Sequence, residues 1–314
     1  MTPLHVRLDE PDERTVALRA HDLAAFAVDD LAHHQPPSVA VGAIVARKPC
    51  GYLGGTLAGE ARTRIQLCGR LIVDLHGRRL EADLPGRQGR LLFAFLAATR
   101  SRRSTRTELV AALWPEGPPD AAEASLAALL SKLRRVLGAA ALEGKAEVRL
   151  ALPPGAWIDL EAAGVAVHHA ESAVALGEWD RAWAPARTAL YTANRGLLPG
   201  YEAPWIDERR RWLDDVRLRA LECVGTAGLR MGGTELAAAE RAGRSLVESA
   251  PFRESGYRLV MEALEARGNV AEALRVYDGL RTLLREELGV PPGQAAQQLH
   301  AHLLEQLDAV RTSG

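Results

Sequence analysis

Cysteine is scarce in this chain. Cys50, Cys68 and Cys223 are the only three among 314 residues, odd in number and far apart. No two of them have CxxC spacing, and His168-His169 has no thiol nearby. This argues against a structural zinc site and against a disulfide framework, and it fits a reducing cytoplasm. Aromatic residues make up only 5%. Long apolar runs are missing. The best candidate, Val39 to Ala46, is broken by Gly42 and falls well below the roughly 20 residues a membrane span needs. The first residues are acidic and lack the pattern of a secretory leader. Catalytic signatures are missing too. There is no GxxxxGK[ST]: Gly144-Lys145 is followed by Ala146 and has no upstream glycine at the required spacing. There is no HExxH, GxSxG or GxGxxG. Asp214-Asp215 and Glu286-Glu287 are adjacent carboxylates with no base or nucleophile to work with, the pattern of a solvated helix face. The chain reads as a non-enzyme with no metal and no cofactor.

What is present is an uneven charge. The formal net charge of -1 hides a positive middle. Residues 63–158 hold 15 Lys and Arg against 9 Asp and Glu, while residues 159–314 hold 18 against 23 and residues 1–62 hold 6 against 8. A basic segment between acidic flanks points to a polyanionic partner for that segment alone.

Within that segment, Ala122 to Gly138 carries the plainest pattern. Leu126, Leu129, Leu130, Leu133 and Leu137 recur at the three-to-four spacing of one helical face, and Gly138 follows as a stop. The opposite face holds Ala124, Ala128, Ser131, Lys132 and Arg135, with Arg134 at the margin. Small residues interleaved with cations suit a helix in a DNA major groove, where close approach brings cations to base edges and phosphates. A solvated face on an ordinary surface helix has the same composition, so the helix alone leaves both readings open.

The flanking segments supply context. Ile65 to Leu75 reads as strands, His76-Gly77 as a turn, and Arg79 to Ala82 as the start of another strand. Gln88 to Thr99 places Leu91, Leu92, Phe95 and Leu96 on one helical face. Thr105 and Glu108 form a capping box, so a short helix begins there, and Pro115 stops it. Val148–Leu152 and Trp157–Leu160 flank Pro153-Pro154-Gly155, the pattern of a hairpin. Strands, three helices and a hairpin make the order of a helix-turn-helix with a β-wing. Ahead of it, Thr15 to His34 reads as a helix, Val39 to Ala46 as a short strand and Gly51 to Gly59 as a linker. Residues 1–62 are either a loosely ordered, partly disordered extension or an effector-sensing or inhibitory segment.

The middle resembles the OmpR-type winged helix, and more narrowly that of the actinobacterial antibiotic-regulatory activators known as SARPs. The resemblance rests on Glu108-Leu-Val-Ala-Ala-Leu-Trp-Pro115 and on Ala122 through Gly138. It implies DNA contacts from Ala128, Ser131, Lys132 and Arg135 in the groove. Arg134 goes either to phosphate or to an intradomain ion pair. Arg103 and Arg106, beside a helix N-terminus, are expected at phosphate or as solvated charge, and Arg149 with Lys145 at the wing. Ala124, Ala127, Ala128 and Leu129 stand where relatives often have polar or aromatic residues, which reduces direct base contacts.

Residues 159–314 read as all helix: Ala162–Leu176, Glu178–Thr192, Pro204–Met231, Glu235–Glu248, Arg253–Arg267, Val270–Leu288 and Gln294–Leu307. Gly177 to Ala182 and Gly268 to Ala273 place a turn glycine and an alanine at the same offset, as tetratricopeptide helix pairs do. Trp179, Trp183, Trp205 and Trp212 are expected to fill helix junctions, with ligand stacking as the alternative. This half resembles the bacterial transcriptional activation domain of SARPs, carried by Glu202-Ala-Pro-Trp205, Arg217 to Glu222, Arg253 to Met261 and Glu287 to Gly293.

The expected fold is mainly α. A winged helix-turn-helix domain at 63–158, made of a small sheet, three helices and a wing hairpin, precedes an all-α, TPR-like superhelical domain at 159–314. The resemblance implies a cytoplasmic, nucleoid-associated activator that binds double-stranded promoter DNA at direct repeats as a homodimer. It also implies contact with RNA polymerase through the loop carrying Trp114, Glu116 and Asp120, although a plain connecting loop has the same composition. The competing class is a TPR-type adaptor whose winged helix no longer binds DNA. Repression in place of activation is a further alternative.

Overall fold

The computed structural model describes residues 63–312, with side chains to residue 308. The helix and strand expected within residues 1–62, the Gly51–Gly59 linker and Cys50 lie outside the described residues. Among the described residues, two small sheets and three α-helices come first. β1 (Arg64–Gln66), β2 (Ile72–Leu75) and β3 (Arg78–Arg79) form an antiparallel meander, and β7 (Trp157–Ile158) joins β1 in parallel, giving the order β3-β2-β1-β7. α1 (Gly86–Ala98) follows and buries Leu91, Leu92, Phe93, Phe95 and Leu96. β4 (Ser104–Thr105) leads into α2 (Arg106–Leu113), and after a loop comes α3 (Ala122–Leu137). β5 (Leu142–Glu143) and β6 (Glu147–Leu150) make a hairpin, and β4 pairs along β6 to complete a three-stranded sheet.

The expected order of elements is present, but the hairpin is not where Pro153-Pro154-Gly155 suggested. That turn connects β6 of one sheet to β7 of the other, and β7 pairs with β1 and not with β6, so the two strands it joins form no hairpin. The wing is the β5–β6 hairpin, with Gly144-Lys145-Ala146 at its tip. β3 is also shorter than expected and ends at Arg79.

Among the described residues, seven α-helices follow: α4 (Asp159–Ala175), α5 (Trp179–Asn194), α6 (Pro204–Met231), α7 (Leu236–Ser249), α8 (Glu254–Ala266), α9 (Val270–Leu288) and α10 (Gln294–Thr312). Each packs on the next in the chain, and the contacts α4–α6 and α6–α8 add the stacking of a solenoid. The repeated glycine turns have the same hydrogen bonds. At Gly177, Gly177 N–H donates to Val174 C=O and Glu178 N–H to Ala173 C=O. At Gly268, Gly268 N–H donates to Glu265 C=O and Asn269 N–H to Leu264 C=O. Both glycines lie in the left-handed region, with φ of 73° and 80°, so both turns are Schellman caps. Ala182 and Ala273, five residues on from each glycine, are both fully buried.

The winged helix and the helical half share one hydrophobic core. Phe93, Leu126, Leu130 and Leu133 belong to the same cluster as Leu197, Ile206 and Leu213. Trp205, one residue after Pro204 opens α6, stands edge-on against Phe95 with centroids 5.2 Å apart. Its Nε1 donates to the Ala112 carbonyl at 3.3 Å. Trp212 packs over Gly164 and reaches the same core. The segment after β1 is used as well: Leu198 N–H donates to Leu67 C=O, and Gly69 N–H to Gly196 C=O, an isolated antiparallel bridge between Cys68 and Leu197.

Buried between the halves is Asp159, the first residue of α4. Its Oδ1 accepts from Leu67 N–H at 2.7 Å and its Oδ2 from Cys68 N–H at 2.9 Å. Arg195 Nη2 donates to Oδ2 at 3.2 Å, and Arg195 Nε to the Cys68 carbonyl at 2.9 Å. Burial pushes the Asp159 pKa up, against the pull of the two amides and the guanidinium. Cys68 and Cys223 are also buried. Desolvation lifts both thiols, that of Cys223 to about 12, so both stay protonated.

Candidate nucleic-acid interface

α3 is amphipathic in three dimensions as well as on paper. Ala122, Leu126, Leu130 and Leu133 are buried. Leu129 and Leu137, expected on the same face, are only half-buried at its edges. On the outer side Ala128, Ser131, Lys132 and Arg135 are all exposed, at positions i, i+3, i+4 and i+7. Ala124 extends the stripe by one turn. Among the described residues neither Lys132 nor Arg135 has an ion pair or hydrogen-bond partner. Neither the helical half nor the wing covers them.

The other candidate cations divide by partner. Arg106, in the first turn of α2, is paired with Glu123 in the first turn of α3: Nε to Oε2 is 2.7 Å, and Nη2 also reaches the Glu123 carbonyl at 3.2 Å. It pins the two helices of the helix-turn-helix together. The capping box that starts α2 is complete, with Glu108 N–H donating to Thr105 Oγ1 and Thr105 N–H to Glu108 Oε2. Arg149 pairs across the wing with Glu143 at 2.8 Å. Arg134 makes no ion pair among the described residues. Its Nη2 donates to the Gly144 carbonyl at 2.7 Å, tying the last turns of α3 to the wing tip. Arg103 is exposed, and its guanidinium lies beside the same Gly144. Arg103, Arg134 and Lys145 thus gather at the root and tip of the wing from three separate stretches of sequence. Arg106 and Arg149 have their charge committed within the fold. The sequence does not reveal this, because each carboxylate partner sits on a neighbouring element.

Gly144 fixes that arrangement. Its φ is 85°, and a Cβ there would lie 1.9 Å from the Glu147 carbonyl oxygen. Gly144→Ala is expected to cost about 1–3 kcal/mol of stability through strain in the wing turn. Gly155→Ala has a similar φ of 78° but open space around it, and should cost less. Paired urea melts check the order. Equal losses would mean that the wing turn tolerates a side chain.

In the loop between α2 and α3, Trp114 is half-buried against the core, while Glu116 to Ala121 are exposed. Glu116 and Asp120 are therefore available to a partner, whereas Trp114 anchors the loop. Among the described residues, no three His, Cys, Asp or Glu side chains gather in a way that could hold a metal, and no helix is long and apolar enough to cross a membrane.

Comparison with known proteins places this arrangement. Residues 158–304 match the bacterial transcriptional activator domain, whose first residue falls one before Asp159. The regulatory protein AfsR of Streptomyces coelicolor is 36% identical over 221 residues, which cover 69% of this chain and 22% of AfsR. The transcriptional regulator RedD of the same organism is 31% identical over 234 residues, covering 69% of this chain and 64% of RedD. The chain thus spans about a fifth of the length of AfsR and just under two thirds of RedD. In solved structures, the fold is similar to that of Mycobacterium tuberculosis EmbR, in complex with a low affinity phosphopeptide, at a TM-score of 0.66 and 23% identity, over 78% of this chain and 65% of that one. A winged helix-turn-helix is thus built onto an all-α region that matches the bacterial transcriptional activator domain, and the chain is similar to SARP-type transcriptional regulators, AfsR and RedD among them.

Proposed function

We propose that the protein is a DNA-binding transcriptional activator, and not an enzyme, in which α3 enters the major groove of promoter DNA. The observation that carries the reading is the exposed stripe Ala128, Ser131, Lys132 and Arg135 above a face sealed in the core, with both cations free of partners among the described residues. Ser131, Lys132 and Arg135 face base edges, and Ala128 offers a methyl contact. Arg103 and Lys145 take phosphates beside the wing. Arg134 can add phosphate through the donors that its bond to Gly144 leaves over, and Arg106 and Arg149 contribute weaker contacts because each already holds a carboxylate. Protomers sit side by side on direct repeats as a homodimer, in the cytoplasm where the nucleoid is. The loop bearing Trp114, Glu116 and Asp120 meets RNA polymerase, and the helical half docks protein to protein.

The test is a salt titration of binding to duplex DNA by fluorescence anisotropy. With Arg103, Lys132, Arg135 and Lys145 neutralising phosphate or groove charge, log K should fall against log salt with a slope of roughly -3 to -4 per protomer. Weak binding at every salt concentration would favour the second reading, a TPR-type adaptor. That reading draws its support from the exposed Ala124, Ala127 and Ala128 on the same helix. A promoter-reporter fusion separates activation from repression.

A further inference from the structure

α5, α6 and α7 line a cleft of about 420 Å³ on the helical half, to which α3 contributes no residue. Its floor is apolar, built on Trp183, Leu221 and Val224, and Arg187, Arg217 and Arg241 line it, one from each helix. The volume lies within the range of small-ligand sites, as does the mixture of an apolar floor with a few charged groups.

The arginines are set apart by what they lack. Each of the three helices carries another arginine outside the cleft that is paired at short range. Arg181 on α5 meets Glu178 at 2.9 Å, Arg219 on α6 meets Glu171 at 2.6 Å, and Arg244 on α7 meets Glu272 at 2.7 Å. In the cleft, Arg187 and Arg241 have no ion pair among the described residues. Arg217 has only Asp214, at 3.7 Å and with Asp214 largely exposed. The Arg187 guanidinium lies over the Trp183 ring, 5.5 Å from its centroid, which holds it at the wall of the cleft. One carboxylate, Glu235, also lines the cleft and accepts from the Thr234 hydroxyl, so the lining stays net positive. Three like charges thus line one cleft with an apolar floor, a lining that complements an anion.

We propose that this cleft binds a small organic anion: an aromatic or aliphatic body on the Trp183 floor, with a carboxylate, sulfonate or phosphate gripped by Arg187, Arg217 and Arg241. Guanidinium forks favour such planar or tetrahedral oxyanions. The site goes beyond DNA binding and does not depend on it.

The probe is 8-anilinonaphthalene-1-sulfonate, an aryl sulfonate whose fluorescence rises in apolar surroundings. Its uncharged analogue N-phenyl-1-naphthylamine serves as control. The whole protein should bind the sulfonate saturably at one site. The triple variant R187Q/R217Q/R241Q should bind it at least about tenfold more weakly and bind the neutral analogue about as before. Arg241→Gln alone removes a partnerless, exposed side chain, keeps the fold, and should lose a few-fold. Arg181→Gln should change nothing. Absence of saturable sulfonate binding, equal binding by the variants, or equal loss of the neutral probe would each overturn the proposal.

Discussion

Replacing Asp159 by alanine is expected to lower the free energy of unfolding by about 3–5 kcal/mol, the loss typical when one member of a buried charged pair is removed. The side chain is 0% exposed. It is the only described acceptor for Leu67 N–H and Cys68 N–H at the end of β1, and it faces Arg195. Alanine would leave two amides and part of a guanidinium without acceptors in a space closed to water. Asp159→Asn should cost less than Asp159→Ala, because the amide carbonyl satisfies one backbone N–H, although the new NH2 group then points at the other. Arg195→Ala should cost less again, since Arg195 is partly exposed and Asp159 keeps both amides. Because one core runs through both halves, urea unfolding should stay a single transition that shifts as a whole. A loss below about 1 kcal/mol, or a melt in which only the helical half moves, would show that the junction does not couple the halves.

That junction is also where the sequence was least informative. Asp159 reads as an ordinary acidic residue in the first turn of a helix. Its role depends on amides more than ninety residues earlier, and Arg195 sits in a loop with no periodic signal. Local patterns were readable where the interactions are local. Leu126, Leu130 and Leu133 mark a buried face, Thr105 and Glu108 a capping box, and Gly177 and Gly268 a repeated helix stop, because each depends on neighbours within one or two turns. The wing was misplaced for the converse reason. Leu142-Glu143 is too short to show alternation and becomes a strand only by pairing with β6, whereas Pro153-Pro154-Gly155 has strong turn chemistry but joins separate sheets. The site divides in the same way. The exposed stripe of α3 follows from the helical period alone. Whether Arg106, Arg134 and Arg149 are free depends on Glu123, Gly144 and Glu143, whose proximity is a tertiary fact.

The double variant Lys132→Ala/Arg135→Ala is expected to lose most of its affinity for a cognate duplex while keeping its stability. Arg135→Ala alone should cost ~1–3 kcal/mol of binding, and the pair together ~2–5 kcal/mol, with some non-additivity because the two positions are one helical turn apart. Neither side chain is paired with anything described, and both are exposed, so the unfolding free energy should move by no more than about 0.5 kcal/mol. That contrast sets α3 apart from Arg106, whose replacement would disturb the α2–α3 contact and so confound a binding measurement. Salt dependence then assigns the roles. A cation on phosphate takes about one unit off the salt slope for every duplex alike, whereas a cation on a base edge lowers affinity for the cognate site more than for a scrambled one. If Lys132 and Arg135 both read bases, the two curves should converge in the double variant. Should cognate affinity stay unchanged with the fold intact, α3 is not the reading helix, and the alanines beside those cations would then mark a protein-binding face.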